Sequence, residues 1–502
     1  METVKLQKQM RPMLGKRNLR KLLKKYYPLL AILIGVSLIS IAMGPYLTLD
    51  TDLEFSTAQG VLHWGYPYIN AWGNLFNEPP LGFYTEAAVF QVFGFSVANG
   101  VTLITLFGLA CVVAVYMVGK ELYNETTGLF AAAFFALAPW ELILSRSFLI
   151  DVQCLLFSLI YLYFGILAIR KDSVKFAGIA GIFFAAALLT KLFAVFMVIP
   201  LPLLFLMHRP KTKRQIIGQF GAFTLPALLS SLLWYQVIMG KGLFYLIQHN
   251  DFKDLNLPNI PVSYMFIPNF LMNDGLGFFF VAAVLFSFAL GLVFWKQVSK
   301  KIAISDLICI ATILFTLSLV AYLAVNLNLK APYNSAVKYI YQSLPFFSLA
   351  AGSLATKTIL LFKSAKYSMK AKSALLVVVS AVGLFLVAMT LLANMATAQK
   401  LSTASYLIFR VQPNIDFGYA FHVDSPINQS NIFFTVQFLG FLVLLSGLLW
   451  AGRKYIVNFF GHLFRPMRRR LLSCAITMVL LIFITHFFLV NKQRVRLISN
   501  LD

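Results

Sequence analysis

The chain has 502 residues, is 60% hydrophobic and 12% charged, carries a formal charge of +24, and repeats apolar runs of about 20 residues along its length. No polar stretch is long enough for a soluble domain of ordinary size, and Cys111, Cys154, Cys309 and Cys474 all fall inside apolar runs, which excludes a disulfide scaffold. The reading is an all-α polytopic membrane protein.

Residues 1–27 are strongly basic, and the apolar segment after them lacks a small-residue cleavage site, so this is read as an uncleaved signal-anchor behind a cytoplasmic N-terminal segment. Thirteen spans follow, at about 28–45, 97–118, 128–144, 149–168, 176–189, 192–207, 216–239, 276–295, 303–325, 339–356, 373–393, 432–451 and 471–490. With the amino terminus inside, the cytoplasmic side takes residues 1–27, Lys120, 170–175, 209–214, 296–301, 357–372 and 453–470, which hold 31 of the 42 Lys and Arg. The other side holds 11 of those 42 but 13 of the 18 acids. This is the positive-inside asymmetry, so the charge is a topology signal and no nucleic-acid partner is implied.

Three outer segments exceed ordinary connection lengths: 45–96, 240–275 and 394–431. The first begins with Asp50, Asp52 and Glu54 at the mouth of an apolar helix. Three carboxylates at a membrane rim are costly unless solvated or paired, which points to a reaction centre or ion site facing water. Within this loop, Asp52 to Trp64 is amphipathic, and a second stretch runs from Pro80 to Phe93. Both read as helices at the membrane interface, with Trp64, Tyr66, Tyr68, Trp72, Phe83 and Tyr84 as an aromatic belt. Glu54 and Glu86 are expected to face solvent or head groups.

Further on, Arg146 and Asp151 stand five residues apart where the third span gives way to the fourth, Lys191 sits in a tight turn between the fifth and sixth, and Lys338 and Tyr339 open the tenth. By this topology all come to the level of Asp50. Cations and carboxylates at one depth suit a lipid phosphate beside an activated nucleophile. The plainer readings are a solvated helix exit for Asp50 and Asp52, a structural ion pair for Arg146 with Asp151, and a snorkelling anchor for Lys191. His63, His249 and His422 are scattered over three loops; His422-Val423-Asp424 resembles a metal-binding fragment, but loop histidines usually bind nothing, and a divalent metal is possible but not indicated.

These blocks together resemble one family. Asp50 through Ala58, Leu62 and Gly65 is similar to the Asp-led segment after the first span of the protein O-mannosyltransferase and lipid A aminoarabinose transferase family of GT-C glycosyltransferases. Glu78-Pro79-Pro80-Leu81, continuing to Phe93-Gly94, resembles its basic-residue-Pro-Pro-Leu block. Arg146 to Asp151 resembles its second acidic motif, Leu189-Thr190-Lys191 its Thr-Lys turn, and Lys338-Tyr339 with Pro345 its later basic-Tyr and Pro segment. The resemblance covers roughly residues 30–350 and leaves the rest unmatched.

It implies a GT-C fold with a catalytic transmembrane module at 28–350 that includes the outer loop 45–96, then C-terminal helices at 351–490 with outer loop 394–431, and a short outer tail at 491–502. It implies a hexosyl- or pentosyltransferase that takes its sugar from a polyprenyl-phosphate donor at the extracytoplasmic membrane face, inverts the linkage, and needs no cofactor. The acceptor would be a protein, a glycolipid or a glycan. Asp50 is then the candidate base with Asp52 as its competitor, Arg146, Lys191, Lys338 and Tyr339 hold the donor phosphate, and Asp151 orients a cation or the acceptor. Two departures stand out: Glu78 replaces the basic residue before Pro79, leaving it to hold the acceptor or a metal, and Thr51 separates Asp50 from the next acid. The competing readings are a transporter or flippase for lipid-linked sugars, whose sites sit at the bilayer midplane, and a catalytically inactive relative.

Overall fold

The computed structural model describes residues 16–43, 49–69, 74–75, 78–207, 212–234, 287, 299–326 and 340–363. The elements in order are α1 (Lys16–Met43), α2 (Leu49–Trp64), a minimal hairpin of β1 (Tyr68–Ile69) and β2 (Asn74–Leu75), α3 (Leu81–Phe93), α4 (Val97–Leu122), α5 (Glu125–Ala136), α6 (Pro139–Leu144), α7 (Ile150–Arg170) and α8 (Val174–Thr190). A 3₁₀ turn (Leu192–Met197) then leads to α9 (Pro200–Met207) and α10 (Lys213–Leu232), and α11 (Lys300–Asn326), a 3₁₀ turn (Tyr341–Ser343) and α12 (Leu344–Lys363) follow. The two strands pair antiparallel, Tyr68 opposite Leu75.

The protein is helical and polytopic, as its sequence implies. Among the described residues, α4, α7, α10 and Lys301–Ser318 of α11 are long and apolar enough to cross a membrane. Their surroundings differ: 78% of the α7 span is buried by protein, against 11% of the α10 span, so α7 is central and α10 faces outward. Helix starts are set by short polar side chains that accept the first free backbone N–H groups, Ser96 from Asn99, Asn124 from Thr127 and Thr212 from Gln215. In lipid no hydrophobic force draws helices together, so close contact depends on small residues. At the crossing of α4 and α5, a Cβ on Gly119 would lie 2.8 Å from the Gly128 Cα, and one on Gly128 would lie 2.6 Å from the Tyr116 carbonyl oxygen.

Several expectations are corrected. The run 128–144 is not one helix: Pro139 cannot supply a backbone N–H, and the chain breaks at Leu137-Ala138 into α5 and α6. The run 192–207 likewise divides into a 3₁₀ turn and α9, which starts at Pro200. Phe83, placed in the aromatic belt, is fully buried, whereas Trp64, Tyr66 and Tyr84 are exposed. Lys357, assigned to a cytoplasmic loop, lies inside α12, which runs on to Lys363, and is 1% exposed. Its ammonium meets the Asp306 carboxylate at 2.5 Å and donates to the Ser287 carbonyl and hydroxyl. Asp306 also accepts from Tyr123 and Ser353, so this knot ties α4, α11 and α12 together with every charge partnered. The expected spans at 276–295, 373–393, 432–451 and 471–490 and the long segments 240–275 and 394–431 lie outside the described residues, apart from Ser287.

Candidate active site

The site forms where α7 begins and α8 ends. These two helices pack antiparallel, joined by Lys171-Asp172, where Asp172 takes a left-handed φ of 49°. Antiparallel pairing returns the end of α8 to the start of α7. There the chain leaves helical geometry at Lys191, whose backbone is extended (φ −160°, ψ 135°) while its N–H still donates to the Ala187 carbonyl at 2.8 Å. Lys191 is thereby turned onto the first turn of α7, and its ammonium donates to Asp151 Oδ2 at 2.8 Å. Both side chains are 3% exposed.

Glu78, just before the two prolines that lead into α3, brings Oε1 to 3.9 Å from the same ammonium. Its Oε2 is buried with no hydrogen-bond partner among the described residues. Burial opposes the charge on Lys191, but the carboxylates of Asp151, Glu78 and Glu54 outweigh it and hold the ammonium well above the ordinary lysine pKa. One lysine therefore serves a group of carboxylates, a tightly held pair with Asp151 and a looser one with Glu78.

Helix α3 closes the site from one side. Gly82 permits this: a Cβ there would fall 2.4 Å from Cγ2 of Ile150, so a larger residue would push α3 off α7, while Thr190 of α8 lies at contact distance, 3.5 Å. Val61 of α2, Phe83 and Ala87 of α3, and Ile150 of α7 form one apolar cluster, with Leu62 packed against it. Beside it Phe55, Phe90 and Phe148 meet with ring centroids 5.2 to 5.6 Å apart.

The expectation that Glu54 and Glu86 face solvent or head groups is overturned. Glu54 is 3% exposed, and its Oε2 accepts from the backbone N–H of Ile150 at 2.7 Å. Glu86 is fully buried in α3, and neither of its carboxylate oxygens has a hydrogen-bond partner among the described residues. Burial, and after it the charges of Glu54 and Glu78, push the Glu86 carboxyl well above the usual carboxylate range.

Of the other residues singled out in the sequence, Asp50 and Asp52 lie in the first turn of α2, one helical turn or less before Glu54. Arg146 is buried in the turn between α6 and α7, and its Nε donates to the Leu142 carbonyl at 2.7 Å. Lys338 and Tyr339 lie outside the described residues. Just after them, the Tyr341 hydroxyl donates to Glu141 Oε2 of α6 at 2.5 Å, so the segment that opens the tenth span is pinned next to the one that leads to Arg146. Neither Glu141 nor Tyr341 was singled out in the sequence. Among the described residues no three His, Cys, Asp or Glu side chains stand together in a way that could hold a metal ion.

Residues 77–235, which contain Glu78, α3, Arg146, Asp151 and Lys191, match the Dolichyl-phosphate-mannose-protein mannosyltransferase family. The resemblance read from the sequence thus holds over this stretch. Among solved structures, ArnT from Cupriavidus metallidurans in the apo state is similar, at 16% identity with a TM-score of 0.50, over 85% of this chain and 77% of that one. At this identity the likeness shows a shared fold. The same protein bound to undecaprenyl phosphate matches over the same shares at 16% identity with a TM-score of 0.46. The apo oligosaccharyltransferase of Archaeoglobus fulgidus matches at 16% identity with a TM-score of 0.45, over 71% of this chain and 54% of that one. No curated protein matches the sequence.

Proposed function

We propose that this chain is a membrane glycosyltransferase that moves a hexose or pentose from a polyprenyl-phosphate donor to an acceptor hydroxyl at the extracytoplasmic face, with inversion. The observation that carries the reading is the buried Lys191–Asp151 pair with Glu78 beside it, inside the stretch that matches a family named for a dolichyl-phosphate-linked sugar. The positive-inside asymmetry supports the orientation, with the amino terminus cytoplasmic.

In this mechanism the acceptor oxygen attacks the anomeric carbon while the bond from that carbon to the phosphate oxygen breaks. The acceptor proton passes to Asp50, and the polyprenyl phosphate leaves with the bonding electrons. A carboxylate is the right base for a hydroxyl whose acidity rises only as the new bond forms, and such a base contributes about 10²- to 10⁴-fold. Negative charge grows on the leaving phosphate, so cations fixed beside it lower the barrier. Lys191 serves here, holding Asp151 and yielding its looser contact with Glu78 to the incoming phosphate. Arg146, Lys338 and Tyr339 complete the phosphate site. Asp151 keeps the Lys191 side chain in place, and Glu78 is left for the acceptor.

Glu78, where the family carries a basic residue, supports a second reading: a relative that binds lipid phosphate without transferring sugar. Asp50→Asn and Asp52→Asn proteins in liposomes, offered a panel of polyprenyl-phosphate hexoses and pentoses, separate the readings. Lost transfer with retained lipid-phosphate binding in Asp50→Asn supports the mechanism, whereas full transfer removes Asp50 as the base. A wild-type protein that binds the lipid phosphate but transfers nothing is the inactive relative, and one that moves the lipid-linked sugar across the membrane unchanged is a flippase.

A further inference from the structure

Helix α7 has no cap of its own. The residue before it, Leu149, offers no side-chain acceptor, so the first N–H groups of α7 are left without the partners that Ser96, Asn124 and Thr212 supply elsewhere. The carboxylate that fills the place comes from 96 residues earlier in the chain: Glu54 Oε2 accepts from Ile150 N–H at 2.7 Å, in a contact buried from solvent. A negative charge at this spot also meets the positive end of the helix dipole.

Two residues that the reaction needs stand close to this bond along the chain. Asp151, paired with Lys191, directly follows Ile150. Asp50 precedes Glu54 by four residues on α2, just over one turn, or about 6 Å along the helix axis. Ile150 thus faces α2 twice, through its N–H to Glu54 and through its side chain in the cluster with Val61, Phe83 and Ala87.

We propose that Glu54 is a positioning residue for glycosyl transfer: its bond to Ile150 fixes the distance between the helix that carries the base and the first turn of α7, which carries Asp151, the partner of Lys191. This rests on the reading of Asp50 as base. Positioning depends on the reach of the side chain, whereas its effect on Lys191 depends on its charge, so two near-isosteric variants separate the two without opening a large cavity. Glu54→Gln keeps the side-chain length and a carbonyl oxygen to accept from Ile150. Glu54→Asp keeps the charge but is one methylene shorter and draws back from the N–H.

The experiment measures transfer kinetics and, on the same proteins, amide hydrogen exchange over the start of α7. Glu54→Gln, which keeps the bond to Ile150 but gives up the charge facing Lys191, is expected to lose less in kcat than Glu54→Asp, with α7 protection intact. Glu54→Asp is expected to lose about 10- to 100-fold in kcat at unchanged KM for the donor, the size of effect that a misplacement of about 1 Å produces, together with faster exchange at Ile150 and Asp151. The reverse ranking, Glu54→Gln impaired and Glu54→Asp active, would overturn the proposal and make Glu54 a charge in the reaction. Unchanged exchange in Glu54→Asp would overturn it as well, because the coupling would then not depend on this bond. If wild type transfers no sugar, the catalytic reading fails by itself, and the exchange data still decide whether Glu54 holds α2 to α7.

Discussion

Removing the ammonium of Lys191 tests the electrostatic core of the site most directly. Lys191→Met keeps most of the side-chain volume and leaves Asp151, 3% exposed, without its partner at 2.8 Å, beside Glu78 and the buried Glu54. Breaking one side of a buried pair costs about 3–5 kcal/mol, because the remaining charge stays desolvated. The value here belongs at the upper end, since more than one carboxylate loses the same cation. Asp151→Asn is milder: Lys191 keeps Glu78 at 3.9 Å, whose side chain is 33% exposed, and a partly exposed pair of that kind returns up to about 1 kcal/mol. Replacing both, Lys191→Met with Asp151→Leu, removes the charge and its counter-charge together and is expected to cost less than Lys191→Met alone. Equilibrium unfolding in mixed micelles, with Asp151→Leu added to close a double-mutant cycle, reads these differences without any assumption about activity. A Lys191→Met protein that loses less than about 1 kcal/mol, or a double variant less stable than Lys191→Met, would refute the assignment of a buried, mutually dependent pair.

Two further perturbations reach other parts of the molecule. The Glu86 carboxyl titrates above the ordinary range when folded, so in the folded protein it binds its proton more tightly than in the unfolded chain, and the stability it contributes at low pH is lost as pH rises from the ordinary carboxylate value towards its raised one. Glu86→Gln, neutral at every pH, is expected to gain stability over wild type across that window, with the gap constant above it; melting curves from pH 4 to 9 that run parallel would contradict the assignment. Lys357→Met, which strands Asp306 between Tyr123 and Ser353, is expected to cost about 3–5 kcal/mol of stability while leaving KM and kcat of the surviving protein near wild type, because the knot lies apart from the Lys191 site; a fall in kcat without a fall in stability would count against this.

What could be read in advance and what could not divides along a physical line. Helix positions came from apolar runs because crossing lipid requires them, and the breaks at Leu137-Ala138 and before α9 stand beside prolines that the sequence displays. Topology brought Asp151 and Lys191 to one depth, but the sequence offered Arg146 as the ion-pair partner of Asp151; 40 residues separate Asp151 from Lys191, and neither helix alone says which face meets the other. Glu54 and Glu141 had no such guide. Each is a carboxylate near a helix end, where solvation is the ordinary outcome, and each meets a partner 96 or 200 residues away. The missing side chain of Gly82 lets α3 approach Ile150, the residue whose N–H Glu54 accepts, so this site rests on packing between segments far apart in the chain. Lys357 was misplaced for a related reason, because counting basic residues by side assigns a loop to any lysine near the end of an apolar run, while α12 continues past it and Asp306 waits on α11. In a membrane protein an unexplained charge next to a span is therefore best treated as half of a pair whose other half remains to be found, and here the halves found lie on the helices that frame the proposed reaction and on the knot that holds α4, α11 and α12.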